Sequence, residues 1–200
     1  QREAYLAPYV RGETVSAIAI SEPGAGSDPA AMKTTAVRDG DEWVINGRKI
    51  WISKADYCDF HCLIAVTDKE KGSRGGMSAF LVDADTPGLN VARKIPMLGG
   101  NATFELELDN CRISAGSLLG EEGKGFAPMQ LRLSTRRMEM ATWCIGIAQR
   151  SLDMMVEYAQ QRSTFGALLA DRQTIQNWVA EAEMNIHSAR LMAYHCAWKL

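Results

Sequence analysis

The spacing of apolar residues changes once along the chain. Between residues 14 and 113 they recur every second position, as strands require. Residues 103–109 are the clearest case, with Phe104, Leu106 and Leu108 on one face and Glu105 and Glu107 on the other. Further strands are expected over residues 14–20, 32–38, 42–46, 48–53, 60–67, 78–83 and 89–95. Asp39-Gly40-Asp41 reads as one turn and the glycine-rich residues 72–76 as another. Asn46-Gly47 predicts a two-residue hairpin, because a type I′ turn needs positive φ at both central positions. About eight short strands with regular turn signals predict a barrel or a sandwich.

After Ser117 the repeat becomes helical. Met129, Leu133, Met140, Cys144, Ile147, Leu152, Met155, Val156 and Ala159 predict one helix over residues 124–162. At about 1.5 Å per residue it is roughly 57 Å long. Pro128 falls in its first turn, where a missing N–H does little harm. Gly166 breaks the chain, and Asp171 is the expected N-cap of a second helix striped by Ile175, Trp178, Val179, Ala182, Ile186 and Ala189. Two long helices cannot bury an apolar stripe each without partners. The expected class is therefore α+β, a barrel or sandwich of strands followed by long helices that need partners. Residues 1–13 read as the tail of an upstream helical domain, 14–118 as the β domain and 119–200 as an incomplete helical domain. On this reading the sequence is a fragment of a longer protein.

Composition excludes several classes. The 200 residues are 46% hydrophobic and 23% charged, with a net charge of −2 mixed along the chain. That argues against a nucleic-acid footprint, which needs a basic stripe. No apolar run approaches the ~18 residues of a membrane span, and no signal-peptide pattern is present. The five cysteines are odd in number and scattered, which points to a reducing compartment rather than a disulfide framework. Cys58-Asp59-Phe60-His61-Cys62 has no second ligand pair at a useful spacing and reads as strand packing; no metal is expected. His61, His187 and His195 are isolated, and the last two are too far apart on a helix to share a metal.

The stretch with chemistry in it is Ser21 to Asp28, SEPGAGSD, where an apolar strand carrying Ile18 and Ile20 on one face breaks into a loop. Gly24 and Gly26 let backbone approach a ligand closely or take positive φ, and Pro23 stiffens the entry. Backbone N–H groups and the Ser21 and Ser27 hydroxyls suit a flat heteroaromatic with polar edges. Gly24-x-Gly26-x-x-Pro29 is not a dinucleotide fingerprint, for it lacks a third glycine and leads into a strand. Alone, the loop is more simply a glycine turn and Trp51 a core aromatic, while Arg162 fits a cation at a helix end and a pyrophosphate ligand equally well.

Taken together with the expected hairpin GDEWVINGRKIWIS (residues 40–53) and the later arm QRSTFG (residues 161–166), the chain resembles the acyl-CoA dehydrogenase family. The family's middle domain has a TEPGAGSD-like loop and a WIT-like strand, here SEPGAGSD and WIS, in the same order. The resemblance covers nearly the whole chain. It implies an α+β chain with an antiparallel β-barrel middle domain, the first two helices of an up-down C-terminal four-helix bundle, and FAD as cofactor. It also implies removal of an α-proton from an acyl-CoA thioester as the β-hydrogen leaves as hydride to the flavin, the chemistry of fatty acid metabolism.

By that resemblance Ile18, Ile20, Ser21 and Gly26 line the flavin, Ser27 meets cofactor phosphate or CoA, and Trp51, Ile52 and Ser53 cover the ring. Ser53 replaces the usual Thr and keeps its hydroxyl. Arg162, Thr164, Phe165, Arg172 and Gln173 form an arm that reaches a neighbouring subunit's FAD. Ser134 and Arg137 fall on the helix that lines the acyl-CoA site. Arg136 stands where some relatives carry the catalytic carboxylate, and Glu139 is off the matching position. The general base is therefore expected beyond Leu200, and this chain alone should be nearly inert. The resemblance further implies a homodimer or homotetramer that passes electrons to an electron-transfer flavoprotein, in bacterial cytoplasm or mitochondrial matrix. Two other readings stay open: a flavin monooxygenase or oxidase of the same superfamily, and a non-catalytic flavin protein associated with DNA.

Overall fold

The computed structural model describes residues 1–199. The chain is α+β and divides into two compact units, Gln1–Met129 and Gln130–Leu200.

The first unit opens with a π turn at Arg2–Leu6 and the short helix α1 (Ala7–Val10). Its strands are β1 (Ser16–Ala19), β2 (Thr35–Asp39), β3 (Glu42–Ser53), β4 (Phe60–Val66), β5 (Met77–Asp83), β6 (Leu89–Pro96), β7 (Ala102–Ser114) and β8 (Leu118–Leu119). They form one sheet in the order β6-β7-β3-β2-β4-β5-β8, with β1 added beside β4. The expected antiparallel barrel is corrected in two ways. The sheet is mixed, because β4 runs parallel to both β1 and β2. It is also open, since β6 and β8 end the order without pairing to each other.

The expected alternation holds in β7, where Phe104, Leu106 and Leu108 enter the core beside Trp43, Ile45, Leu63 and Phe80. Trp43 packs edge-on against Phe80 at 5.3 Å between ring centroids. Ala17 and Ala19 of β1 face the core, and Ile18 within the strand and Ile20 just past its end are both half-buried.

The hairpin expected at Asn46-Gly47 does not form. Residues 42–53 are one continuous strand of 12 residues, and the reversal comes earlier, where Asp39 pairs with Glu42 across Gly40-Asp41. The Asn-Gly pair serves a β-bulge instead. Ile45 pairs with Cys111 and Gly47 with Leu108, so β7 carries one residue more than β3 there. The extra turn is taken at Asn110, whose φ is +48° and whose N–H donates to Asn46 Oδ1 at 2.8 Å. Gly47 is needed for space, because a Cβ there would lie 2.7 Å from Thr34 Cα.

The second unit holds α2 (Phe126–Gln161, which begins in the first unit), β9 (Ser163–Thr164), β10 (Ala167–Leu168) and α3 (Gln173–Lys199). Arg190 Nη2 donates to Gln149 Oε1 at 2.8 Å, tying α3 to α2. Asp171 does not cap α3 as expected. Its carboxylate accepts from Leu168 N–H, closing the 3₁₀ turn at Leu169–Asp171, and α3 starts two residues later. Among the described residues no helix is long and apolar enough to cross a membrane.

Gly47→Ala is expected to lower stability by about 1–3 kcal/mol, since Thr34 backbone must move aside. Urea unfolding of the variant measures this, and a loss within error would contradict the close approach.

Candidate functional site

The loop after β1 is folded by its own turn. Glu22 and Ala25 exchange backbone bonds, Glu22 N–H to Ala25 O at 2.8 Å and Ala25 N–H to Glu22 O at 3.1 Å, with Pro23 and Gly24 at the corner. Neither Gly24 nor Gly26 has positive φ. A Cβ on either would meet nothing within 4 Å. The chain's own packing thus does not require glycine at these positions, and the space above them is open. Ser27 is exposed, and Asp28 accepts from Ala30 N–H at 3.0 Å to start the 3₁₀ turn at Pro29–Ala31.

What holds this loop to the sheet is a pair that the sequence reading did not pick out. The Lys49 ammonium is fully buried and donates to Glu22 Oε1 at 2.9 Å and to Ile20 O at 3.0 Å. Glu22 also accepts from Lys33 N–H at 2.6 Å and Thr34 N–H at 2.9 Å. Burial pulls the Lys49 pKa down to about 8, against the opposing pull of Glu22. For Glu22, burial pushes upward, but Lys49 and the two N–H donors outweigh it and hold the carboxyl below its ordinary range. Lys49 sits inside the apolar segment Lys49-Ile50-Trp51-Ile52, and only the register of β3 could have shown that it points inward.

That register also makes the corner opposite the loop. Lys49 pairs with Leu106 and Ile52 with Phe104, three steps on β3 against two on β7. The inserted residue lets Lys49 and Ile52 both face inward and turns Trp51 outward, with φ +62° and about half its surface exposed. Positive φ on an aromatic residue is strained, and such strain clusters at functional sites. Ile50 N–H donates to Ser21 O at 2.8 Å, so the loop and the tryptophan corner are joined directly. Among the first unit's expected site residues, the structure brings together Ile20, Ser21, Trp51, Ile52 and Ser53. Ile52 lies in the core, which leaves only its backbone for a ligand, while Ser53 is exposed.

In the second unit, Arg162 and the strands β9 and β10 form a small hairpin between α2 and α3. Phe165 and Gly166 fill its corner with φ +50° and +77°, the two positive values of a type I′ turn. Phe165 is fully exposed. Arg172 Nη2 donates to Thr164 O at 2.7 Å and clips the hairpin to the start of α3, next to Gln173. On α2, Ser134 Oγ donates back to Gln130 O at 3.1 Å and Arg137 is exposed. Arg136 is paired with Glu139 at 2.7 Å and stacked over Trp143 at 4.4 Å, so Glu139 is a surface charge. Among the described residues no group of three or more His, Cys, Asp or Glu is placed to hold a metal ion. Cys58 and His61 instead meet inside the first unit, 3.4 Å apart.

Two family profiles match: "Acyl-CoA dehydrogenase, middle domain" over residues 17–111 and "Acyl-CoA dehydrogenase, C-terminal domain" over residues 123–200. The chain belongs to the acyl-CoA dehydrogenase family. It is 48% identical over 200 residues to (R)-benzylsuccinyl-CoA dehydrogenase of Thauera aromatica, covering 100% of this chain and 49% of that protein. It is 41% identical over 199 residues to the human mitochondrial short-chain specific acyl-CoA dehydrogenase, covering 98% and 48%. Butyryl-CoA dehydrogenase of Megasphaera elsdenii superposes with a TM-score of 0.93 at 35% identity, covering 97% of this chain and 51% of that one. The chain spans about half the length of the relatives it matches.

Lys49→Met leaves a buried carboxylate without its cation and is expected to cost about 3–5 kcal/mol in denaturant unfolding; a loss under about 1 kcal/mol would show that the pair carries little of the fold. Because the folded pKa of Glu22 lies below its ordinary 4.5, its stabilisation is complete above that pH and is lost as pH falls through the folded value. The stability gap between wild type and Glu22→Gln should therefore narrow below about pH 4.5, as unfolding curves across pH 3–7 would read.

Proposed function

We propose that the protein containing this chain is an FAD-dependent acyl-CoA dehydrogenase that oxidises an acyl-CoA thioester between its α and β carbons. One observation carries the reading: the Ser21 O to Ile50 N–H bond at 2.8 Å joins the open glycine loop to the outward-turned Trp51. The residues present fit a flavin. Gly24 and Gly26 leave room that a Cβ would fill, Ser21, Ser27 and Ser53 offer hydroxyls, and Ile18 and Ile20 offer a half-buried apolar face.

On this reading Ile18, Ile20 and Ser21 hold the pyrimidine end, Gly26 and Ser27 meet phosphate, and Trp51, Ile52 backbone and Ser53 cover the ring. The cofactor supplies the hydride acceptor when bound. Trp51 excludes water from the reacting edge, and hydroxyls and N–H groups aimed at that edge favour the charge that develops there. Arg162, Thr164, Phe165, Arg172 and Gln173 form the arm offered to a second copy, where a guanidinium can take a pyrophosphate through paired N–H donors.

Ser134 and Arg137 on α2 face the acyl-CoA. The α-proton acceptor comes from a residue beyond Leu200, a view supported by the Arg136–Glu139 pairing, which ties up the nearest carboxylate on α2. The working assembly is a homodimer or homotetramer that hands electrons to an electron-transfer flavoprotein. The reading keeps residues 14–118 as the flavin-binding β domain and 119–200 as part of the helical bundle.

Purified protein carrying this chain should be yellow or take up added FAD, and its visible absorption should bleach on anaerobic addition of a substrate acyl-CoA. A protein that stays colourless with excess FAD overturns the assignment. Bound flavin reoxidised rapidly by O₂ would redirect it to oxidase chemistry.

A further inference from the structure

Three buried side-chain atoms have no hydrogen-bond partner among the described residues: Thr14 Oγ1, Trp43 Nε1 and Thr103 Oγ1. A buried hydroxyl without a partner is costly, and native structures rarely leave one so. Trp43 lies deep in the core, with its ring under the Arg38 guanidinium, and Thr14 precedes β1. Thr103 differs from both in its neighbours. It pairs directly with Ser53 on β3 and with Ile95 on β6, and it is only 8% exposed. Residues paired across neighbouring strands project to the same face, with Cβ atoms about 4.5–5.5 Å apart. Phe104, Leu106 and Leu108 face the core, so alternation along β7 sends the Thr103 side chain to the face of Ser53 and away from that core.

We propose that Thr103 is a further binding residue of the flavin site, its hydroxyl donating to the polar edge of the ring beside the Ser53 hydroxyl. The inference rests on the flavin reading above and adds to it a residue outside the motifs that led to that reading. Nothing in the local sequence, Asn-Ala-Thr-Phe, marks this threonine. Its role follows from register and from a hydroxyl that the fold buries without satisfying.

The test separates a ligand-directed hydroxyl from a structural one. Thr103→Val keeps the shape and the strand preference and removes only the hydroxyl. If the hydroxyl serves the ligand, the Thr103→Val apoprotein unfolds at the same denaturant concentration as wild type or a higher one. Its FAD dissociation constant, measured by flavin fluorescence titration, then rises about tenfold, the worth of one hydrogen bond, with a shift in the visible absorption of the bound flavin. Thr103→Ser restores both. The inference is overturned if Thr103→Val binds FAD as tightly as wild type. It is also overturned if the variant fails to fold, or loses apoprotein stability in step with FAD affinity, for the hydroxyl is then structural. Wild-type protein that takes up no FAD sinks the flavin reading and this inference together, whereas an unaffected Thr103→Val with flavin-binding wild type sinks this inference alone.

Discussion

The first unit is organised around a charge that has no access to water. Removing an ammonium from solvent is expensive, and the expense is offset only where the partner is close and every remaining donor and acceptor is met. Lys49 meets that condition by reaching both the Glu22 carboxylate and the Ile20 carbonyl. Glu22 in turn takes the N–H groups of Lys33 and Thr34. One ion pair therefore fixes the end of β1, the glycine loop and the entry to β2 to a single point on β3. A hydrophobic plug of similar size would fill the space but could not specify which carbonyl and which N–H groups meet there.

The same arrangement explains why the glycines of the loop can face outward. With Glu22 anchored below and the Pro23-Gly24 turn closed by its own backbone bonds, the segment needs no packing contact from Gly24 or Gly26. Its position is set from beneath and its upper surface stays free. The corner at Trp51 follows the same logic, since the bulge that turns the tryptophan outward is the one that lets Lys49 and Ile52 both point inward. Burial on one side and presentation on the other are two results of one inserted residue.

Much of this architecture was legible in the residues and some was not, for physical reasons. Strand alternation in β7 is read correctly because burial acts on side chains one at a time along a regular element; the helical spacing gives α2 itself, and of its apolar stripe Met129, Leu152 and Ala159 are buried while Met140, Cys144 and Ile147 are exposed. The Asn46-Gly47 pair misleads because that dipeptide reports a need for unusual backbone geometry or tight space, and a bulge facing Asn110 and Thr34 meets the need as well as a turn does. Closure into a barrel was not legible, because strand count and spacing carry no information on it, nor on β4 lying parallel to β1 and β2. The motif residues of the loop and corner were legible by resemblance. Lys49 and Glu22 were not, since a charged residue in an apolar strand looks like an outward position until its register is known. Asp171 looks like a helix cap, yet it serves the turn before the helix.

The arm between α2 and α3 has a cost written into its backbone. Position one of a type I′ corner is filled best by Asn, Asp or Gly, yet it holds Phe165, bare to solvent and at φ +50°. Folding alone would favour a smaller, more polar residue there. An Asn at this place would relax the chain and improve solubility, so a selection for robustness alone would discard the ring. At this corner, then, the chain keeps a large apolar ring that turn geometry by itself would not choose.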